Sequence, residues 1–167
     1  MIPPSTSRLC FRFFDKDDLP LVERLNSNPE VTYYLGGVSS RDEVELSFQR
    51  YLKYHHQHPG YGYWCTVLNS PQVFVGWFIV KLLPETGETE IGYRLLPEFW
   101  GRGLATEGAL AMVNYALKEL EITNVVGVAA PGNMASRRVL EKAGLTFRKY
   151  GRYYQTQCAY YSLNLNR

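Results

Sequence analysis

A chain of 167 residues has room for one hydrophobic core of ordinary size, and two would be cramped. With 46% apolar and 20% charged residues it reads as globular, and a net charge of +2 spread along the whole length argues against a large nucleic-acid footprint. Three scattered cysteines, Cys10, Cys65 and Cys158, with no C-x-x-C spacing, weigh against a zinc site and a disulfide framework.

The amino terminus, Met1-Ile2-Pro3-Pro4-Ser5, lacks the basic and apolar regions of an export signal. No apolar run approaches the ~20 residues of a membrane helix. The expectation is therefore a cytoplasmic protein, one domain over residues 1–167, with no nucleic-acid or membrane partner.

In chain order, the first strand is predicted over Arg8–Phe14, with Leu9, Phe11 and Phe13 on one face. Asp15 reads as a helix cap, and Leu19, Val22 and Leu25 follow at helical spacing, ending before Pro29. Residues 33–39, with Gly36 and Gly37, read as a loop. Ser40 and Glu43 form a capping box for a helix whose stripe is Val44, Phe48, Tyr51, Leu52 and His55.

Strand runs 63–68, 73–83 and 88–95 are separated by Asn69-Ser70-Pro71 and Pro84-Glu85-Thr86-Gly87, both with turn chemistry, and predict an antiparallel meander. A helix is expected from Gly103 to Leu120, a strand over 124–130, a helix over 133–143, and two strands near 145–153 and 158–165. The strand–helix–strand centre implies a crossover joining parallel strands. A mixed α/β sheet of about seven strands, with helices on both faces, follows.

The most informative stretch is Leu95-Leu96-Pro97-Glu98-Phe99-Trp100-Gly101-Arg102-Gly103-Leu104-Ala105-Thr106-Glu107, where a strand ends and a helix begins. Gly101 and Gly103 free the backbone to turn, and a helix start offers unpaired amides and partial positive charge to an anion. Arg102 adds a charge-assisted contact. A P-loop is excluded because no G-K-[S/T] closes the turn, and a dinucleotide fingerprint is excluded because Thr106 stands at the third glycine.

Four segments together resemble the GNAT N-acetyltransferase superfamily, in the branch of the RimJ/RimL-type ribosomal-protein N-terminal acetyltransferases. They are Ser7-Arg8-Leu9 with Asn28-Pro29-Glu30-Val31; Glu90-Ile91-Gly92-Tyr93; Trp100 through Glu107; and Asn133 through Gly144. The resemblance implies the GNAT fold and transfer of an acetyl group from acetyl-CoA, with no metal. The acceptor it implies is a primary amine, either a protein N-terminus or a small molecule. It also allows a homodimer. Residues Arg102, Gly103, Leu104, Ala105 and Thr106 are expected to hold the CoA pyrophosphate, with backbone near Leu95 pairing the pantetheine. The family loop begins with Arg or Gln, where this chain has Trp100, so one polar side chain is missing from the expected contacts.

Direct transfer requires an unprotonated amine, a held thioester carbonyl and a proton for the departing thiolate. The resemblance makes Glu90 the base, directly or through water. It also sets the Asn133 side chain on the pantetheine and Ser136 as the acid. From the residues alone, Asn133 is a helix cap and Glu90 shares its strand face with Gly92 and Arg94. His55, His56 and His58 lack a partner carboxylate at ligand spacing, and Arg137-Arg138 reads as a solvated helix face. The tyrosines at 150, 153, 154, 160 and 161 either pack the terminal hairpin with wet hydroxyls or line the acceptor cleft with Tyr33, Tyr34 and Leu35. Two other functions share these features: a CoA or acetyl-CoA sensor without turnover, and a polyamine or aminoglycoside acetyltransferase.

Overall fold

The computed structural model describes residues 1–165; the last two residues of the expected 1–167 span lie outside the described residues. The strands are β1 Leu9–Phe13, β2 Gly62–Leu68, β3 Phe74–Leu82, β4 Thr89–Leu95, β5 Asn124–Ala129, β6 Thr146–Tyr153 and β7 Thr156–Asn164. The helices are α1 Leu19–Asn26, α2 Pro29–Thr32, α3 Arg41–Gln57, α4 Leu104–Lys118 and α5 Met134–Lys142. The strands form one sheet in the order β1-β2-β3-β4-β5-β7-β6. Every neighbouring pair is antiparallel except β4 and β5, which the α4 crossover makes parallel.

Side-chain alternation along β3 sorts the two helical layers. Phe78 faces α4: a Cβ added at Gly108 would lie 2.1 Å from the Phe78 ring. Its neighbour Trp77 faces the other way, toward Tyr51 of α3 at a ring distance of 6.1 Å. All of β3 but Leu82 is buried, as expected of a strand covered on both faces. Small residues on α4 (Ala105, Gly108, Ala109, Ala116) let the helix lie close to the sheet, which fixes where its amino terminus sits.

Most sequence expectations hold. The Ser40–Glu43 capping box is present, with Ser40 N–H donating to Glu43 at 2.7 Å. Three expectations change. Asp15 caps a single 3-10 turn over Lys16–Asp18 instead of α1 itself; the Asp18 carboxylate returns to the Asp15 amide at 2.9 Å and pairs with Arg12 at 2.6 Å. Residues 33–39 are not wholly loop either. Asn28 caps α2 by accepting from the amides of Glu30 and Val31, and a 3-10 turn over Tyr33–Leu35 continues it to Gly36, at φ 92°. Arg137 also departs from the expected solvated face: it donates to the hydroxyl of fully buried Tyr161 at 2.8 Å and to the Pro131 carbonyl at 3.1 Å.

Candidate active site

The sheet is open in its middle. Strands β4 and β5 pair only at Thr89↔Val125 and Glu90↔Val126. Beyond Glu90, β4 continues to Leu95 against β3, and β5 continues to Ala129 against β7. From Ile91 to Leu95, β4 therefore presents backbone to a gap between the two halves of the sheet.

The loop leaving the open end of β4 leads to the start of α4. Pro97–Phe99 form a 3-10 turn, and the exposed Gly101 and Gly103 take φ of 71° and 75°, which glycine adopts without the Cβ penalty. Glu107 donates the first amide bond of the helix, to the Gly103 carbonyl at 3.0 Å. Among the described residues the amides of Arg102 through Thr106 have no hydrogen-bond acceptor. They form a row of donors at the positive end of a 15-residue helix.

This loop is clamped from beneath by a group that the residue-by-residue reading did not single out. The Glu107 carboxylate accepts from Thr6 Oγ1 (2.5 Å), Ser7 Oγ (3.1 Å), the Arg8 amide (2.9 Å) and Arg8 Nε (2.6 Å). Arg8 Nη1 in turn donates to the Arg102 carbonyl at 2.9 Å. Pulling that carbonyl inward leaves the following amides facing outward. Burial pushes the Glu107 carboxyl up, but the bonds from Thr6, Arg8 and Ser7 overcome it, leaving it below the ordinary carboxylate range. The only signal in the sequence was Ser7-Arg8-Leu9, a segment of the resemblance to which no role had been attached.

Trp100, at the position where the family carries Arg or Gln, donates its indole N–H to the Leu95 carbonyl at 2.9 Å. The substitution thus closes the strand-to-helix turn by a different bond. That bond takes one of the two lone pairs of the Leu95 carbonyl at the open end of β4. The Arg102 side chain is exposed, lying over the Phe99 ring at 5.6 Å. Leu104 is buried, and Ala105 and Thr106 are partly buried.

Asn133 caps α5 as expected, accepting from the Ser136 amide at 3.1 Å. Ser136 stands in the first turn of α5, beside the Tyr93 side chain of β4, so α5 meets the opened stretch of β4. Burial raises the Tyr93 phenol, and the serine partly offsets it. Tyr93 was read only as a strand residue; its place beside Ser136 depends on how α5 docks.

Glu90 lies at the apex of the gap on the opposite face, which fits the predicted alternation. Its surroundings do not match a solvated strand glutamate. Glu90 is 4% exposed, and its carboxylate pairs with Lys81 Nζ, its cross-strand neighbour on β3, at 2.8 Å. Tyr154, from the turn between β6 and β7, donates its hydroxyl to the same carboxylate oxygen, and Lys81 donates to Tyr154. Arg94, on the same face, turns instead to the Asn26 side chain and the Trp77 ring. The hairpin hydroxyls are not simply wet: Tyr160 donates to Glu88 at 2.8 Å and Tyr161 to Glu141 at 3.2 Å. Tyr34 reaches across to the Gly132 carbonyl at 3.0 Å, linking the segment before α3 to the turn before α5. His55 stacks on Phe13 with centroids 4.1 Å apart. Among the described residues no three His, Cys, Asp or Glu side chains are placed to hold a metal ion.

The family profile for the acetyltransferase (GNAT) domain matches residues 8–146, and the chain belongs to that family. The class that the fold and the site define is therefore the acetyltransferase (GNAT) domain. A curated relative, FsC-acetyl coenzyme A-N(2)-transacetylase of Aspergillus fumigatus, is 41% identical over 105 residues, covering 55% of this chain and 44% of the relative. This chain therefore spans less than half the length of that relative.

Two solved structures illustrate the shared fold. RimL, the ribosomal L7/L12 alpha-N-protein acetyltransferase in complex with coenzyme A, superposes with a TM-score of 0.80 at 18% identity over 99% of both chains. Spermidine N-acetyltransferase from Vibrio cholerae, in complex with CoA and spermine, gives 0.76 at 16% identity over 95% of this chain and 96% of the other. No helix among the described residues is long and apolar enough to cross a membrane.

Proposed function

We propose that the chain acts as one unit, in the cytoplasm, to acetylate a primary amine by direct attack on acetyl-CoA. The amides of Arg102 through Thr106 take the CoA diphosphate. The pantetheine lies along the open edge of β4 near Leu95 and against the Asn133 side chain. The amine enters on the α1/α3 face, and its nitrogen bonds to the thioester carbonyl carbon. Glu90, directly or through one water, takes the proton that the nitrogen sheds. The carbon–sulfur bond breaks, and the thiolate takes a proton on the α4/α5 face, where Ser136 stands beside Tyr93. The observation that carries this reading is the parting of β4 and β5 immediately beyond Glu90, next to a helix start whose amides are free.

The acceptor class we favour is a protein N-terminus or a small amine, in keeping with the chemistry named for the relative and the two structural neighbours. Calorimetry of the Gly103→Glu variant tests the site. A side chain at φ 75° and a negative charge among the phosphates are expected to abolish acetyl-CoA binding, and retained tight binding would refute the assignment. Release of free thiol with an acceptor panel of an unblocked tetrapeptide, spermidine and an aminoglycoside then identifies the acceptor. Light scattering on the same preparation reads monomer against homodimer.

A second reading, a CoA or acetyl-CoA sensor, is favoured by the engagement of Glu90 with Lys81. Acetyl-CoA binding without thiol release across the whole panel would establish it.

A further inference from the structure

A buried lysine–glutamate pair bridged by a phenol stands at the apex of the gap, and the reaction as outlined uses only the glutamate. Lys81 and Glu90 are 8% and 4% exposed. Taking two charges out of water costs several kcal/mol per ion, and replacing such a pair by apolar side chains of similar volume is often neutral or stabilising. The pair is therefore a poor device for stability alone.

The third member is brought there under strain. Tyr154 and Gln155 form the β6–β7 turn with φ of 51° and 61°. Two consecutive left-handed positions usually carry Asn-Gly, and a bulky aromatic residue there is uncommon. The backbone is pinned by Glu85, which accepts the Tyr154 amide at 2.5 Å. The result is a hydroxyl on both Lys81 and Glu90, while 42% of the residue remains exposed. The other titratable groups facing Glu90 are neutral in their ordinary state: Tyr54 from α3, Tyr63 from β2 and Cys158 from β7. Lys81 is the cation in contact with Glu90, and Arg94, on the same strand face, is engaged by the Asn26 side chain and the Trp77 ring.

We propose that Lys81 and Tyr154 are positioning residues for Glu90: Lys81 anchors the buried carboxylate from β3, and Tyr154 fixes its orientation by closing the β6–β7 turn over it. This rests on Glu90 being the base. The turn then becomes part of the active site, since the base is correctly held only with the hairpin docked.

The experiment compares wild type with Lys81→Met, Lys81→Arg and Tyr154→Phe. Two quantities are followed against pH: the ¹³C shift of the Glu90 side-chain carboxyl, assigned by its loss in Glu90→Gln, and kcat/KM by thiol release. The acceptor is whichever of spermidine, the aminoglycoside or the tetrapeptide turns over fastest. In Lys81→Met both the pH profile of the carboxyl shift and the acid limb of kcat/KM should move away from those of wild type, and in Tyr154→Phe both should move in the same direction by less. Lys81→Arg should restore both to within about half a unit, and acetyl-CoA affinity should stay within about twofold throughout. If neither quantity moves, Lys81 and Tyr154 do not position Glu90 and the proposal is overturned. If the carboxyl midpoint moves while the acid limb stays, Glu90 is not the base, and the reading beneath the proposal falls with it.

Discussion

Buried charge in this protein is always met by a specific partner, and the partner decides what the residue does. Asp18 is 6% exposed, and burial alone pushes its carboxyl up. Bonds from Arg12 and from the Asp15 amide outweigh that and hold it below the ordinary carboxylate range. Its contribution to stability is therefore complete above the unfolded carboxylate pKa and lost as pH falls through the lower folded value. Asp18→Asn should cost about 2 kcal/mol near neutral pH, measured by urea unfolding, and the difference from wild type should shrink below about pH 4. A gap that persists unchanged at pH 2 would show that the aspartate acts by shape alone. The sequence marked Asp15 as a cap, but the acidic partner that completes the box is a residue whose role emerged only when β1 brought Arg12 alongside. Glu90 repeats the lesson. Its face was legible from alternation, whereas Lys81 lies nine positions earlier and Tyr154 sixty-four positions later.

At the level of elements, the start of α4 is held from two directions. From the sheet side it is held by close approach. A Cβ on Gly108 would sit 2.1 Å from Cζ of Phe78, which is fully buried and has no room to retreat. Gly108→Ala gains about 1 kcal/mol of helix propensity but overpacks by about 3 kcal/mol, so net destabilisation of about 2 kcal/mol is expected in thermal or urea unfolding. From the amino-terminal side it is held by Glu107 and the Thr6–Arg8 segment. Removing Arg8 leaves the Glu107 charge uncompensated beside the proposed diphosphate site, whereas Glu107→Gln removes that charge. Arg8→Ala should therefore weaken acetyl-CoA binding about tenfold and Glu107→Gln only about threefold, read by calorimetry at low salt. The opposite order would place Arg8 outside the site's electrostatics. The glycine turn and the cap of α5 were readable because their chemistry is local; the clamp was not, because its two halves are about a hundred residues apart in sequence.

For the whole molecule, the split sheet separates two approaches. Glu90, Lys81 and Tyr154 lie on the α1/α3 face, while Tyr93 meets Ser136 on the other. The base and the thiol exit proposed on opposite faces suit two substrates bound together across the gap. Initial rates with both substrates varied should give intersecting double-reciprocal lines; parallel lines would indicate a covalent acetyl-enzyme and refute direct transfer.

What the sequence determined by itself was the set of elements and the glycine turn proposed to bind the diphosphate. Period, caps and glycines are properties of neighbours in the chain, and they sufficed for the meander, the crossover and the start of α4. The family resemblance supplied the chemistry expected at Glu90, Asn133 and Ser136. What only the tertiary structure decided was partnership: Lys81 and Tyr154 on Glu90, Arg8 on Glu107 and the Arg102 carbonyl, Trp100 on the Leu95 carbonyl, and Ser136 on Tyr93. Apart from Trp100, which closes a local turn, each joins groups whose meeting depends on strand register or on how a helix docks, and pairings of that kind leave no periodic trace along the chain.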